Sequence, residues 1–207
     1  MNLLQPNRNI EIKGSRVTLK PISQNEINNT YLSWLNDPEI NKYLEVRYKK
    51  QTIADIYNYI NNLRSINGAE LFAIFENITS SHIGNLSITH FNPNNNGYAI
   101  YGIMIGEKCK NLGYAVDAEI MIVEYLFGFQ KINRLEGGVF SKNKSAWLIL
   151  ELIGFKKEGV LRKRGVLSDG TIDDVFIYGL LKEEWNKSKK KRIIEYFLKN
   201  YEVRKLK

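Results

Sequence analysis

The sequence predicts one α/β domain whose central sheet is mixed, mostly antiparallel and flanked by helices. Three observations predict it. Apolar positions alternate in some segments and recur at helical spacing in others, in the order β-α-α-β-β-β-α-β-α-β-β, which implies a parallel pairing in the middle of the sheet. The cluster Asn92-Pro93-Asn94-Asn95-Asn96-Gly97 joins two strand-like runs and marks a hairpin. An apolar strand runs through a short glycine-containing loop, 106–113, into a long apolar helix.

Taken in order, residues 10–22 read as a strand with Val17 and Leu19 on one face. Ser23 and Glu26 have the form of a capping box, so a helix is expected there, running through Tyr31, Leu32 and Trp34. Asn36-Asp37-Pro38 breaks it, and a short helical turn follows over 38–44. Thr52 and Asp55 give a second cap signal, opening a helix through Ile56, Tyr59, Ile60 and Leu63 that Asn67-Gly68 ends. Strands are expected over 71–76, 82–91 and 98–105. The helix over 114–129 carries Ala118, Met121, Ile122, Tyr125 and Leu126 at helical spacing. A strand over 134–140, a short helix over 145–152 ended by Gly154, and strands over 155–167 and 175–181 complete the domain. Residues 187–207 read as a basic amphipathic helix with Ile193, Ile194, Phe197, Leu198 and Tyr201 on one stripe. The expected organisation is therefore a domain over 1–186 and an extension over 187–207.

A chain of 207 residues can bury a real core without metal or disulfide. Cys109 is the only cysteine, which excludes an internal disulfide and any zinc site of paired-cysteine type; it fits a reducing cytoplasm, and no metal is expected. The first twelve residues lack the apolar run of a secretory signal. The stretch 120–129 contains Glu124 and is too short to span a bilayer, so no transmembrane segment is expected. The net charge of +8 hints at nucleic acid, but residues 187–207 alone carry nine Lys/Arg and two Glu. The body is nearly neutral, so the charge is an appendage rather than a nucleic-acid face.

The segment from Ile103 to Ala115 holds the chemistry. A helix N-terminus points unsatisfied N–H groups outward, and the helix dipole adds positive potential, so a pyrophosphate is a natural guest. Gly113 permits close backbone approach, and Lys108 and Lys110 add charge. The loop lacks the Gly-Lys-Ser/Thr of a Walker loop and is not a Gly-x-Gly-x-x-Gly fingerprint. By spacing alone an ordinary strand–loop–helix connection explains it equally well.

Lys110-x-x-Gly113-x-Ala115, preceded by Gly102-Ile103-Met104-Ile105, resembles the pyrophosphate motif and fourth strand of the GNAT acetyltransferase superfamily. Asn143, Glu151 and Gly154-Phe155 resemble its Asn-x-x-Ser/Ala…Glu-Lys-x-Gly-Phe segment. Arg16-Val17-Thr18-Leu19-Lys20-Pro21 at the start, and Asp173 to Tyr178 through Glu184-Trp185 at the end, resemble the RimJ/RimL-like members. The match covers about residues 10–185.

That resemblance implies the GNAT fold, in which the fourth and fifth strands splay and receive the pantetheine of acetyl-CoA, the co-substrate. Ile103, Met104 and Ile105 would line it, with Ile103 and Ile105 pairing through the backbone. Lys110, Asn111, Leu112, Gly113, Tyr114 and Ala115 would hold the pyrophosphate, and Asn143 the pantetheine arm. The implied chemistry is direct attack of a neutral primary amine on the thioester. Two positions depart from the family pattern: Lys110 stands where Arg or Gln is usual, and Leu150 where a thiolate-protonating tyrosine is usual.

Candidate catalytic groups are Tyr101, beside the expected bulge, His90, which titrates near neutrality, and Glu70, as a base acting through water. Their structural alternatives are strand packing, a strand-end histidine and a solvated charge. Arg47 is a candidate acceptor grip for phosphate or carboxylate, or an ion-pair partner of Glu45. The segment 34–47 resembles members that modify amino sugars, so the expected acceptor is a small-molecule amine, a nucleotide-linked amino sugar. A protein N-terminal α-amine is the alternative, and a non-catalytic CoA- or RNA-binding module is the rival from another class. Dimers are common in the family, so a homodimer is a further expectation.

Overall fold

A computed structural model of the protein describes residues 9–66, 68–92, 97–106, 113–130 and 132–205, with the backbone alone described at 90–92. The first expected strand is in fact a hairpin of β1 (Ile10–Lys13) and β2 (Val17–Pro21), because Gly14 closes a tight turn by donating to the Val17 carbonyl at 2.9 Å. Ser23 and Glu26 do form a capping box, but on one 3₁₀ turn; α1 (Asn29–Asn36) starts later, under the Asn28 side chain. Asp37 both ends α1 and caps α2 (Pro38–Asn41), and a 3₁₀ turn follows over Glu45–Tyr48. Thr52 and Asp55 cap α3 (Ile53–Ser65) as the pattern predicts.

Then come β3 (Glu70–Glu76), β4 (His82–Asn92), β5 (Tyr98–Ile105), α4 (Tyr114–Phe129), β6 (Arg134–Phe140) and α5 (Lys144–Ile153). The chain continues with β7 (Lys156–Val166), β8 (Ile172–Leu181), α6 (Lys182–Ser188), α7 (Arg192–Leu198) and β9 (Glu202–Lys205). Among the described residues the strands form one sheet in the order β7-β8-β6-β5-β4-β3-β2-β1-β9. β5 and β6, the fourth and fifth strands of the sequence reading, are parallel; the other pairings are antiparallel.

Two cores face opposite sides of the sheet. Leu71, Ala73 and Met104 pack with Tyr31, Leu35, Ile56 and Ile60 under α1 and α3. Phe72, Ile74, Leu86 and Ile88 pack against α4, whose Ile120, Met121, Ile122 and Val123 are all fully buried. A helix buried on nearly every side needs no amphipathic stripe, which is why α4 reads as a continuous apolar run.

The C-terminal residues are not a single protruding helix. They form α7 and then β9, which pairs with β1 from Ile10↔Lys205 to Lys13↔Glu202 and extends the sheet. Ile194 and Phe197 are buried in the α4 core, while Ile193 is exposed. The 186/187 boundary falls inside α6. Helical periodicity located the apolar residues; the partner that ends the helix and recruits a strand lies almost two hundred residues earlier.

Candidate active site

The sheet forks at its parallel pair. β5 and β6 are joined at Tyr98↔Arg134, Ala99↔Leu135 and Ile100↔Glu136, and no further. Both strands continue, β5 to Ile105 on β4 and β6 to Phe140 on β8. Two strand edges therefore face each other across a gap, and among the described residues neither edge has a ladder partner there. A β-bulge sits at the fork: Ile88 pairs with Tyr101 and His90 with Ile100, leaving Thr89 as the extra residue in β4. The expected bulge lies opposite Tyr101, in the neighbouring strand. Bulges bend a strand and re-aim its side chains, and here the bend falls where β5 leaves β6.

Gly106 donates its N–H to Ile83 on β4 at 2.8 Å. Backbone direction alternates along a strand, so Met104 and Gly102 also face β4, and the N–H and C=O groups of Tyr101, Ile103 and Ile105 face the gap. Of the three residues expected to line the arm, Ile103 and Ile105 turn their backbone groups toward the gap. Met104 does not: its carbonyl crowds Gly84 and its side chain is buried under α1 and α3. Gly106 has a steric role as well, since a Cβ there would meet the Trp34 indole of α1 at 2.7 Å.

Beyond the strand end, α4 begins. Gly113 adopts φ 76° in the left-handed region, where a side chain is costly, and no side chain caps the helix. The carbonyl of Gly113 accepts from Asp117, and the N–H groups of Ala115 and Val116, in the first turn, have no carbonyl a turn earlier in the helix to bond. The Arg16 guanidinium lies 3.9 Å from where a Cβ of Gly113 would be, adding positive charge at this end. Tyr114 is buried and donates its hydroxyl to Glu76 of β3; Ala115 is half-buried. Lys110, Asn111 and Leu112, with Lys108 and Cys109, lie outside the described residues, as does the His90 side chain.

On the other edge, Asn143 caps α5, accepting from the Ala146 N–H at 3.4 Å and the Ser145 hydroxyl at 3.3 Å. Its Nδ2 makes no hydrogen bond to a described residue, which leaves a donor at the β6 side of the gap. Leu150 is buried and apolar, and Trp147 spends its N–H on the Ser141 carbonyl at 3.1 Å.

Under the fork, the Tyr101 hydroxyl donates to Oε2 of Glu119 on α4 at 3.0 Å. Burial, the larger effect, lifts the Tyr101 hydroxyl well above its ordinary range, and Glu119 adds to it. Burial likewise holds the Glu119 carboxyl at about 8, against the smaller opposing pull of the tyrosine. Composition and motifs did not single out Glu119, although an acid inside Ala118-Glu119-Ile120-Met121-Ile122-Val123 is a visible anomaly.

Two candidates resolve into structural roles. Glu70 is fully buried, pairs with Arg64 at 3.0 Å and accepts from the Leu71 N–H at 3.0 Å. It anchors the end of α3 to β3 and is no solvent-fed base. Arg47 is also buried: Nε donates to the Val166 carbonyl at 2.9 Å, Nη1 to the Leu44 carbonyl at 2.6 Å, and Nη2 to the Tyr48 hydroxyl. Its guanidinium lies 5.0 Å from the Phe140 ring, and Glu45 is 3.6 Å away. It straps the segment after α2 onto β6 and β7; its fork is committed to the protein, not open to an acceptor.

Among the described residues no cluster of His, Cys, Asp and Glu could hold a metal, and no helix is long and apolar enough to cross a membrane. Residues 16–156 match the model of the acetyltransferase (GNAT) domain. The chain belongs to the GNAT acetyltransferase family. It is 28% identical over 172 residues to the uncharacterized N-acetyltransferase p20 of Bacillus licheniformis, covering 82% of this chain and 95% of p20. Solved structures share the fold. The spermidine N-acetyltransferase of Vibrio cholerae in complex with CoA and spermine aligns with TM-score 0.73 at 18% identity, over 82% of this chain and 98% of that one. A GNAT-family acetyltransferase of Bacillus anthracis aligns with TM-score 0.70 at 22% identity, over 84% and 99%. GNAT enzymes use acetyl-CoA, and the forked strands and uncapped α4 are the features of this GNAT chain that suit such a molecule.

Proposed function

We propose that this GNAT enzyme transfers the acetyl group of acetyl-CoA directly to the primary amine of a nucleotide-linked amino sugar. The carrying observation is the fork: a strand-like pantetheine arm can bond to the backbone of Tyr101, Ile103 and Ile105, as an added strand does. The first-turn amides of Ala115 and Val116, with the positive charge of Arg16 beside them, suit a diphosphate. Lys110, Asn111, Leu112 and Gly113 complete that reading, and the Asn143 Nδ2 suits an amide of the arm. The acceptor amine attacks the thioester carbon as a neutral nucleophile. A slot-facing N–H of β5 is placed to stabilise the oxyanion, the kind of group that contributes most when it is preorganised.

The acceptor class rests on charge. A depression of about 940 Å³ on β7 is lined by Val160, Leu161, Arg162, Lys163, Arg164 and Asp174. The register of β7 on β8 shifts between Leu161 and Gly165, and Lys163 sits at φ 53°, so the three cations share a bulge. β7 lies two strands beyond β6, about 10 Å away at ordinary strand spacing. Leu161 is level with Val175 and Phe140, at the open end of the fork. Such a distance suits an acceptor whose amine enters the fork while its phosphates meet the bulge. A RimJ/RimL-like protein N-terminus is the alternative acceptor; a basic peptide or a polyamine would meet like charge here.

Release of free thiol from acetyl-CoA against an amine panel tests this. The expected order is a nucleotide-linked amino sugar well above spermidine and an N-terminal peptide. Turnover confined to spermidine or the peptide would overturn the acceptor class. Calorimetric binding of CoA without turnover of any amine would favour a CoA-binding module.

A further inference from the structure

We propose that Tyr101 protonates the departing thiolate and that Glu119 supplies the proton through the tyrosine hydroxyl. This deepens the reading of the fork as a thioester site and rests on it.

Placement comes first. Ile100↔Glu136 is the last pair joining β5 to β6, so Tyr101 is the first residue past the fork, opposite the Thr89 bulge. Its ring lies 6.2 Å from that of Phe155, at the end of α5, while its hydroxyl reaches Glu119 on α4. The side chain thus lies across the underside of the fork, between the two helices.

The second observation is the chemistry of the partner. Glu119 is 3% exposed, and among the described residues no Lys, Arg or His pairs with it; Tyr101 is the titratable group that meets it. A buried carboxyl without a cation is costly when charged, so it keeps a proton at neutral pH. Holding a tyrosine in place requires only a neutral acceptor. An acid in that position adds a stored proton, one hydrogen bond from the fork.

The third is the empty alternative. Along α5, Leu150 has no proton to give, Trp147 is engaged by Ser141, and the Tyr178 hydroxyl donates to Glu151 at 2.8 Å. The donor must come from elsewhere around the fork; among the described residues Tyr101 is the phenol that stands next past the last joined pair, whereas the Thr89 hydroxyl at the bulge faces the Ile100 carbonyl.

The step balances. The amine nitrogen bonds to the carbonyl carbon, the C–S bond breaks, and its electron pair leaves on sulfur. The Tyr101 proton moves to sulfur, and the carboxylic proton of Glu119 moves to the tyrosine oxygen. Glu119 is left as a carboxylate accepting from Tyr101, and water reprotonates it after CoA leaves. The proton shed by the amine goes to solvent.

Steady-state kinetics of Tyr101→Phe and Glu119→Gln across pH 6–10, beside calorimetric CoA binding, test the relay. Tyr101→Phe should lower kcat about 100-fold, the low end for general acid catalysis, with CoA affinity within about 3-fold of the parent. Glu119→Gln keeps an oxygen acceptor for the tyrosine but stores no proton. It should lower kcat about 10-fold and lose the fall in kcat expected of the parent above about pH 8. An unchanged kcat in Tyr101→Phe, or a retained alkaline fall in Glu119→Gln, would overturn the relay. So would equal loss of rate and CoA binding, which marks a structural pair. Failure of the parent to transfer acetyl to any amine is a different result and removes the reading beneath.

Discussion

Asp117 accepts the backbone N–H of Arg16 at 2.6 Å, joining the first turn of α4 to the start of β2 a hundred residues earlier. The same oxygen accepts from Val17 at 2.9 Å, and the carboxylate is fully buried. Two jobs meet here: the contact closes the fold and sets Arg16 beside Gly113. Asp117→Asn can keep Arg16 and Val17 on its one oxygen but turns an N–H pair toward the Ser15 N–H that also bonds the carboxylate. It should cost about 1–3 kcal/mol and weaken CoA binding, read by thermal melts and calorimetry. Unchanged stability would show that the contact is dispensable.

Arg47 should behave as a strut. Arg47→Ala removes the charged bonds to the carbonyls of Leu44 and Val166, which keep only the residue-47 N–H and the Tyr48 hydroxyl, at a cost of about 2–3 kcal/mol. For a chain of this size that is a fall in Tm of roughly 5–9 °C. A raised acceptor KM with an unaltered Tm would instead restore the substrate grip.

Glu119 gives the stability a pH dependence of known sign. Its folded-state pKa of about 8 lies above the ordinary 4.5, so the folded state holds a proton that the unfolded state has released. Its contribution is complete below about pH 4.5 and is lost as pH rises to about 8, with a limiting slope of about 1.4 kcal/mol per pH unit. Urea denaturation of the parent and of Glu119→Gln at pH 6 and pH 8.5 measures it. The parent should lose more stability than the variant between the two; equal losses would place the carboxyl in its ordinary range.

Deleting residues 192–207 removes β9 from β1 and uncovers the α4 core. Ile194 and Phe197 alone are worth roughly 3–6 kcal/mol of burial, a large part of the stability of an ordinary domain. The shortened chain should be insoluble or melt far lower. Parent-like Tm and solubility would mean that the segment is an appendage after all.

The pattern of apolar residues was enough for much of this fold. Thr52 and Asp55 located α3, Gly154 ended α5, and the run from Ile120 to Val123 marked a helix buried on most sides, because these signals act within a few residues of themselves. Gly113 was legible for the same reason: a left-handed turn selects glycine locally. Arg47 and Glu70 were visible as charged residues near the right place, yet a sequence does not show that Val166 or Arg64 will absorb them.

Local propensity and periodicity, then, determined the helices, most strands, the family resemblance and the glycine before α4. The tertiary structure alone decided where β5 and β6 part, that Tyr101 meets Glu119 beneath that point, and that a basic C-terminal segment becomes a ninth strand. Each of these depends on pairing between residues far apart in the chain. A strand's alternation shows which residues share a face, but which edge it finds is settled by the competition of all the strands for partners.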